Sequence, residues 1–199
     1  MLEYTTDQII VAMRAKEYAV FANDSKPYNL NIIGVRNSDG QPNKFDDAMF
    51  VLWRYGGEWN MRRFRITTEP GRAYLGQKMG NTKGTAILKP NQYRGCWSVG
   101  KHRNKYTALV QVGPVTVYRD TDKDGKPETD GMKEDTGYFG INIHRASEAH
   151  ESATVDNWSA GCQVFANPIE FDEFMDLVLS AEAIWGNRFT YTLLESKDL

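Results

Sequence analysis

Two side chains with reactive chemistry stand at the ends of two apolar runs. His144 closes Gly140-Ile141-Asn142-Ile143-His144, and eighteen positions later Cys162 sits inside Trp158-Ser159-Ala160-Gly161-Cys162-Gln163-Val164-Phe165. A thiol attacks strongly only as thiolate, and a neighbouring imidazole is the usual means of forming one near neutral pH. The small residues before Cys162 let backbone approach a substrate and aim N–H groups at a developing oxyanion. The pattern points to a cysteine-dependent acyl-transfer enzyme. It requires His144 and Cys162 to share a face, with sulfur and ring within hydrogen-bond reach or slightly beyond.

The motif His-x(n)-Ser-x-Gly-Cys, carried here by His144, Ser159, Gly161 and Cys162, resembles the signature of L,D-transpeptidases, the YkuD-like peptidoglycan enzymes. The resemblance covers about residues 137–166 and extends loosely upstream to about residue 60. It implies a YkuD-like β-sandwich and a cysteine that attacks a stem-peptide carbonyl, passing through a thioester resolved by an amine or by water. Carried over residue by residue, Cys162 is the nucleophile and His144 its base. The N–H groups of Gly161 and Cys162 form the oxyanion hole. Ser159 orients the site through its hydroxyl or its backbone carbonyl on His144.

Two positions depart from the family pattern. Arg145 follows the histidine where glycine is usual, and Val164 stands two places after the cysteine where arginine is usual. The missing arginine is tied to substrate carboxylate recognition, and Arg145 is a candidate replacement because guanidinium forks bind carboxylates well. Trp158 either lines the substrate groove or packs in the core. Cys96 lacks the Ser-x-Gly context and reads as a structural thiol. His102, among Lys101, Arg103 and Lys105, reads as a solvated surface residue, and His150 as part of a polar surface loop.

Asp120, Asp122 and Asp124, followed by Gly125, resemble the front half of a calcium loop. Position 12 is Gly131 in place of glutamate, so a solvated acidic turn is the better reading and no cofactor is expected. The run from Asp130 to Asp135 reads as solvated loop.

The elements that must hold these residues belong to a mainly β, α+β chain of 199 residues: an N-terminal helical segment over 1–26 and one β-rich catalytic domain over 27–199. Thr5 and Gln8 are spaced as a capping box, and Ile9, Ala12, Met13 and Val20 repeat on one face, predicting a helix over 6–20. A β-branched run covers 30–35, and Asn37-Ser38-Asp39-Gly40 reads as a turn. Strands are expected at 49–55, 59–67, 84–88, 95–99, 106–112, 114–119, 138–145, 161–166 and 188–194. Pro168 opens a late helix whose stripe is Phe171, Phe174, Met175 and Val178, and Gly186 ends it.

Composition bounds the partners. A net charge of −2, from 24 basic and 26 acidic side chains, gives no reason to expect nucleic-acid binding. No apolar run is long enough to insert in a membrane. The N-terminus has neither a basic nor an apolar leader region, which predicts synthesis in the cytoplasm and action on the wall after release, for instance by a phage. A monomer acting on peptidoglycan stem peptides is expected, with hydrolysis and lysis favoured over cross-linking. The rivals are a non-catalytic cell-wall-binding or virion protein on the same fold, and a zinc hydrolase using His144, His150 and Cys162.

Overall fold

The computed structural model describes residues 2–38, 41–76 and 83–199. The chain is mainly β, with two sheets and three helices among these residues, in agreement with the expected class. The helices are α1 (Thr6–Ala15), α2 (Arg72–Leu75) and α3 (Pro168–Trp185). The larger sheet contains β1 (Asn31–Arg36), β2 (Asp47–Tyr55), β3 (Glu58–Thr67), β5 (Asn91–His102), β6 (Tyr106–Gln111), β9 (Ile143–Arg145), β10 (Gln163–Phe165) and β11 (Phe189–Glu195). Its order is β1-β11-β5-β6-β9-β10-β3-β2, and β2 pairs back onto β1, so the sheet closes on itself. The smaller sheet has the order β4 (Thr85–Leu88), β7 (Val115–Asp120), β8 (Lys133–Gly137). Ala86, Leu88, Val115 and Val117 of this sheet join the core inside the larger one.

The apolar run in β2 is continuous because both of its faces are covered. Met49, Val51 and Trp53 point to the main core, while Ala48, Phe50 and Leu52 pack with Ile9, Ile10, Ala12 and Met13 of α1. The alternation of a strand therefore persists, with two apolar environments in place of one. On α3, Phe171, Phe174, Met175 and Val178 face the core, and Phe171 and Phe174 pack on Phe165 at ring separations of 5.5 and 5.0 Å. Asn167 caps this helix by accepting from the Ile169 N–H at 2.8 Å.

The first helix is shorter than expected. Its capping box forms, but it ends at Ala15. Glu17 N–H donates to Arg14 O and Tyr18 N–H to Met13 O, both at 2.9 Å, closing the end with Glu17 in the left-handed region at φ 58°. This double closure usually uses glycine, and the sequence carries no such signal there. Glu17→Gly is expected to raise stability by about 0.5–1 kcal/mol, read as a higher urea midpoint at unchanged slope.

Residues 138–145 are not one strand. Lys133–Gly137 pairs with β7 in the small sheet, so part of the acidic run expected as loop is strand β8. The chain then changes sheets and resumes as β9 beside β10. The reason lies in hydrogen-bond partners. Gln111 Oε1 accepts from Phe139 N–H (3.0 Å) and Ile141 N–H (2.9 Å), and its Nε2 donates to Gly137 O (2.9 Å). Trp97 Nε1 donates to Ile141 O at 2.8 Å. Side chains supply what a strand neighbour would otherwise give this crossing. Of the expected turn at 37–40, Asp39 and Gly40 lie outside the described residues.

Candidate active site

The parallel pair β9–β10 sets the site. Its register is Gln163↔Ile143, Val164↔His144 and Phe165↔Arg145. Cys162 thus falls one residue before β10, beside Asn142, and two residues before the partner of His144. Side chains alternate along a strand, so Cys162 and His144 lie on the same face.

His144 is only 3% exposed. Its Nδ1 lies 2.7 Å from the Arg145 carbonyl oxygen, which can only accept, so the ring proton is on Nδ1 and Nε2 carries the lone pair. His102 stacks on this ring with centroids 4.0 Å apart and 22° between planes. Asn142 fixes the second tautomer. Its Oδ1 accepts from Gln111 N–H at 2.9 Å, which turns its amide nitrogen toward His102 Nδ1 at 3.1 Å. His102 therefore accepts at Nδ1 and holds its proton on Nε2. Burial pushes His144 down to about 3, with the charges of His102 and Arg103 adding to it. Burial likewise pushes His102 down to about 4, helped by Arg103. Two neutral imidazoles face one another.

Cys162 is half-buried. Its thiol donates to Gly140 O at 3.3 Å, and Asn142 N–H donates to the sulfur at 3.4 Å. Desolvation pushes it up to about 11, against the lowering effect of that N–H and of Arg103. Among the described residues no hydrogen bond joins the sulfur to the imidazole. The resting pair is thiol and neutral imidazole, side by side on one face without a hydrogen bond between them.

Ser159 acts on the cysteine turn and makes no hydrogen bond to His144. Its hydroxyl donates to Cys162 O at 2.9 Å and accepts from Gly161 N–H at 3.1 Å. The Gly161 N–H is consequently occupied, which removes it from the expected oxyanion hole. The Cys162 N–H has no partner among the described residues. The Arg145 carbonyl takes the orienting role expected of Ser159. Gly161 adopts φ 121°, and a Cβ there would lie 2.3 Å from the Ala86 carbonyl oxygen. Gly161→Ala is expected to cost about 2–5 kcal/mol, from backbone strain plus overlap with fixed main chain. Chemical denaturation measures it.

Arg145 does not offer a free guanidinium. It lies 4.0 Å above the Tyr106 ring and pairs with Glu148 at 3.3 Å. Trp158 is 39% exposed and, with His144 and Asn157, lines a cleft of about 140 Å³. It lines a cleft and is not packed in the core. Cys96 is half-buried, its thiol 3.5 Å from the Arg94 and Pro114 carbonyl oxygens. His150 is exposed and near Ser147, and no set joining His144, His150 and Cys162 converges on a metal position among the described residues. The zinc arrangement does not assemble.

The acidic loop differs from the expected ligand set. Ligand atoms of Asp122, Asp124 and Glu128 lie within 4.8 Å of one another, but Asp120 is buried and accepts from the Glu128 N–H at 3.5 Å. Asp122 and Asp124 cap their own turn by accepting from the N–H groups of Asp124 and Lys126 at 3.1 and 2.8 Å. This accounts for the spacing as turn chemistry.

Sequence reasoning missed His102, Gln111 and Asn142. His102 has three cationic neighbours in sequence and looks solvated. Its burial follows from the placement of the β5–β6 hairpin end beside β9, through the pairing Leu109↔Ile143. No local signal carries that pairing. Among the described residues, no helix is long and apolar enough to cross a membrane. No family model, characterised protein or solved structure matches the chain.

Proposed function

We propose that the protein is a cysteine-dependent acyl-transfer enzyme acting on peptidoglycan stem peptides, with hydrolysis favoured over cross-linking. The observation that carries this reading is the shared face of Cys162 and His144 on adjacent parallel strands, with the Nε2 lone pair available and an unpartnered Cys162 N–H. The peptidoglycan substrate rests on the His144, Ser159, Gly161 and Cys162 motif.

In this reading the sulfur attacks the peptide carbonyl as its proton passes to His144 Nε2. The oxyanion accepts from Cys162 N–H. An oxyanion donor of this kind is worth about 2.7–4 kcal/mol in the barrier. The C–N bond then breaks, His144 returns the proton to the leaving amine, and a thioester remains. Water deprotonated by His144 cleaves the thioester and restores the thiol. The Arg145 carbonyl steadies the imidazolium formed on the way. With the cysteine pushed up and the histidine pushed down, proton transfer is unfavourable at rest. It must be coupled to attack on bound substrate.

A second reading, a non-catalytic wall-binding or virion protein, draws on the missing sulfur–imidazole hydrogen bond. Mass spectrometry of purified peptidoglycan fragments, incubated with wild type and with Cys162→Ala, separates the two. Wild-type-only loss of a terminal residue or cleavage of a cross-link supports hydrolysis. A new cross-link or an exchanged terminal residue makes it a transpeptidase. No Cys162-dependent change across several stem-peptide types moves the assignment to a binding protein.

A further inference from the structure

The cysteine turn separates two clefts. Ala160 and Phe139 line one, of about 340 Å³, while Trp158 and His144 line the other. Their charges differ in availability. The first holds Arg119, whose guanidinium is occupied by Asp135 at 2.9 Å, by Gly84 O at 3.3 Å and by the Phe139 ring at 4.5 Å. The second holds Arg103, Lys105 and Arg145 and no acidic side chain. Arg145 is spent on Glu148 and Tyr106. Arg103 and Lys105 are exposed and have no ion-pair partner among the described residues.

The backbone keeps Arg103 at this cleft in an unusual conformation. Arg103 and Asn104 have φ 50° and 58°, and Lys105 N–H donates to His102 O at 2.9 Å. A tight hairpin of this kind favours asparagine or glycine at both central positions. An arginine held there, aimed at a cleft without acids, is an outlier that points to use. The positive charge of Arg103 reaches His102, His144, Tyr106 and Cys162.

Chemistry decides which part of a substrate meets these cations. The imidazolium that protonates a leaving amine must lie beside it, so the leaving residue occupies the His144 cleft. We propose that Arg103 and Lys105 bind the free carboxylate of that leaving residue, selecting peptides whose scissile bond precedes a carboxylate-bearing terminal amino acid. The selection rests on the acyl-transfer reading. The cation pair itself does not.

The test alkylates Cys162 of the full chain at pH 9 with iodoacetate and with iodoacetamide, in wild type, in the Arg103→Gln/Lys105→Gln double variant and in Arg103→Lys. Modification at Cys162 is quantified separately from Cys96 by peptide mapping. The iodoacetate-to-iodoacetamide rate ratio is expected to fall about tenfold in the double variant, to be largely kept in Arg103→Lys, and to fall in wild type at about 1 M salt, where charges are screened within a few ångströms. Equal ratios in wild type and double variant overturn the subsite. A second arm compares hydrolysis of stem peptides ending in a free carboxylate or an amide. At least tenfold preference for the carboxylate, lost through KM in the double variant, supports the selection. Equal turnover of both peptides overturns it. A charge-dependent alkylation ratio with no turnover of any peptide keeps the anion subsite and removes the enzymatic reading.

Discussion

Alkylation of Cys162 by iodoacetamide is expected to rise about tenfold per pH unit from pH 7 to pH 10, without a plateau at neutral pH. The reactive species is the thiolate, and the folded site pushes this thiol up to about 11. Its proton is donated to the Gly140 carbonyl at 3.3 Å, so deprotonation also gives up a hydrogen bond. The imidazole that could hold a thiolate is buried, neutral and without a hydrogen bond to the sulfur. A thiolate–imidazolium pair would instead give a profile already flat by about pH 6, and that result would exclude the neutral resting site. Rates followed by mass spectrometry at the Cys162 peptide decide between the two. If a stem peptide makes the profile flatter and earlier, substrate binding itself assembles the ion pair.

Acid stability should depend strongly on the stacked histidines. The unfolded chain takes up protons on both imidazoles as pH falls below about 6.5, while the folded site resists until about 4 at His102 and 3 at His144. Over that window the unfolded state binds more protons, so stability falls with falling pH, by about 1.4 kcal/mol per unit for each ring. Between pH 6.5 and pH 5 the two rings together cost about 3 kcal/mol, and between pH 7 and pH 5 about 4 kcal/mol. Asp47 and Asp120, each pushed up to about 6 by burial, and Glu69, pushed up to about 8, act oppositely. The folded state holds their protons where the unfolded state does not, so acid favours folding through them. They are common to wild type and to His102→Gln/His144→Gln, so their effects cancel in the difference. Urea unfolding at pH 7 and pH 5 should therefore show the double variant losing about 4 kcal/mol less than wild type. Equal losses would mean that the rings are protonated in the folded protein.

Much of the scaffold was legible from periodicity. The stripe from Phe171 to Val178 and the Pro168 and Gly186 boundaries mark α3, and the β-branched and aromatic runs mark most strands. These signals are local, because one buried face imposes its period on the residues that form it. The candidate pair His144 and Cys162 and the small-residue turn before the cysteine were legible too, since they are properties of a short segment. The allocation of hydrogen-bond partners was not. Whether Gly161 N–H faces a substrate or the Ser159 hydroxyl, which carbonyl holds His144, and where the chain leaves the small sheet for the larger one all depend on groups distant in sequence.

The sequence by itself determined a mainly β chain with a cysteine and a histidine at strand ends. Only the tertiary structure decided their register, the stacking of His102, the occupied and free N–H groups of the cysteine turn, and the neutral resting pair. Each of these depends on which long-range partner satisfies a buried polar group or removes water from it. A buried polar group takes whichever partner the packed chain brings within reach, and that choice is made between segments, not within them.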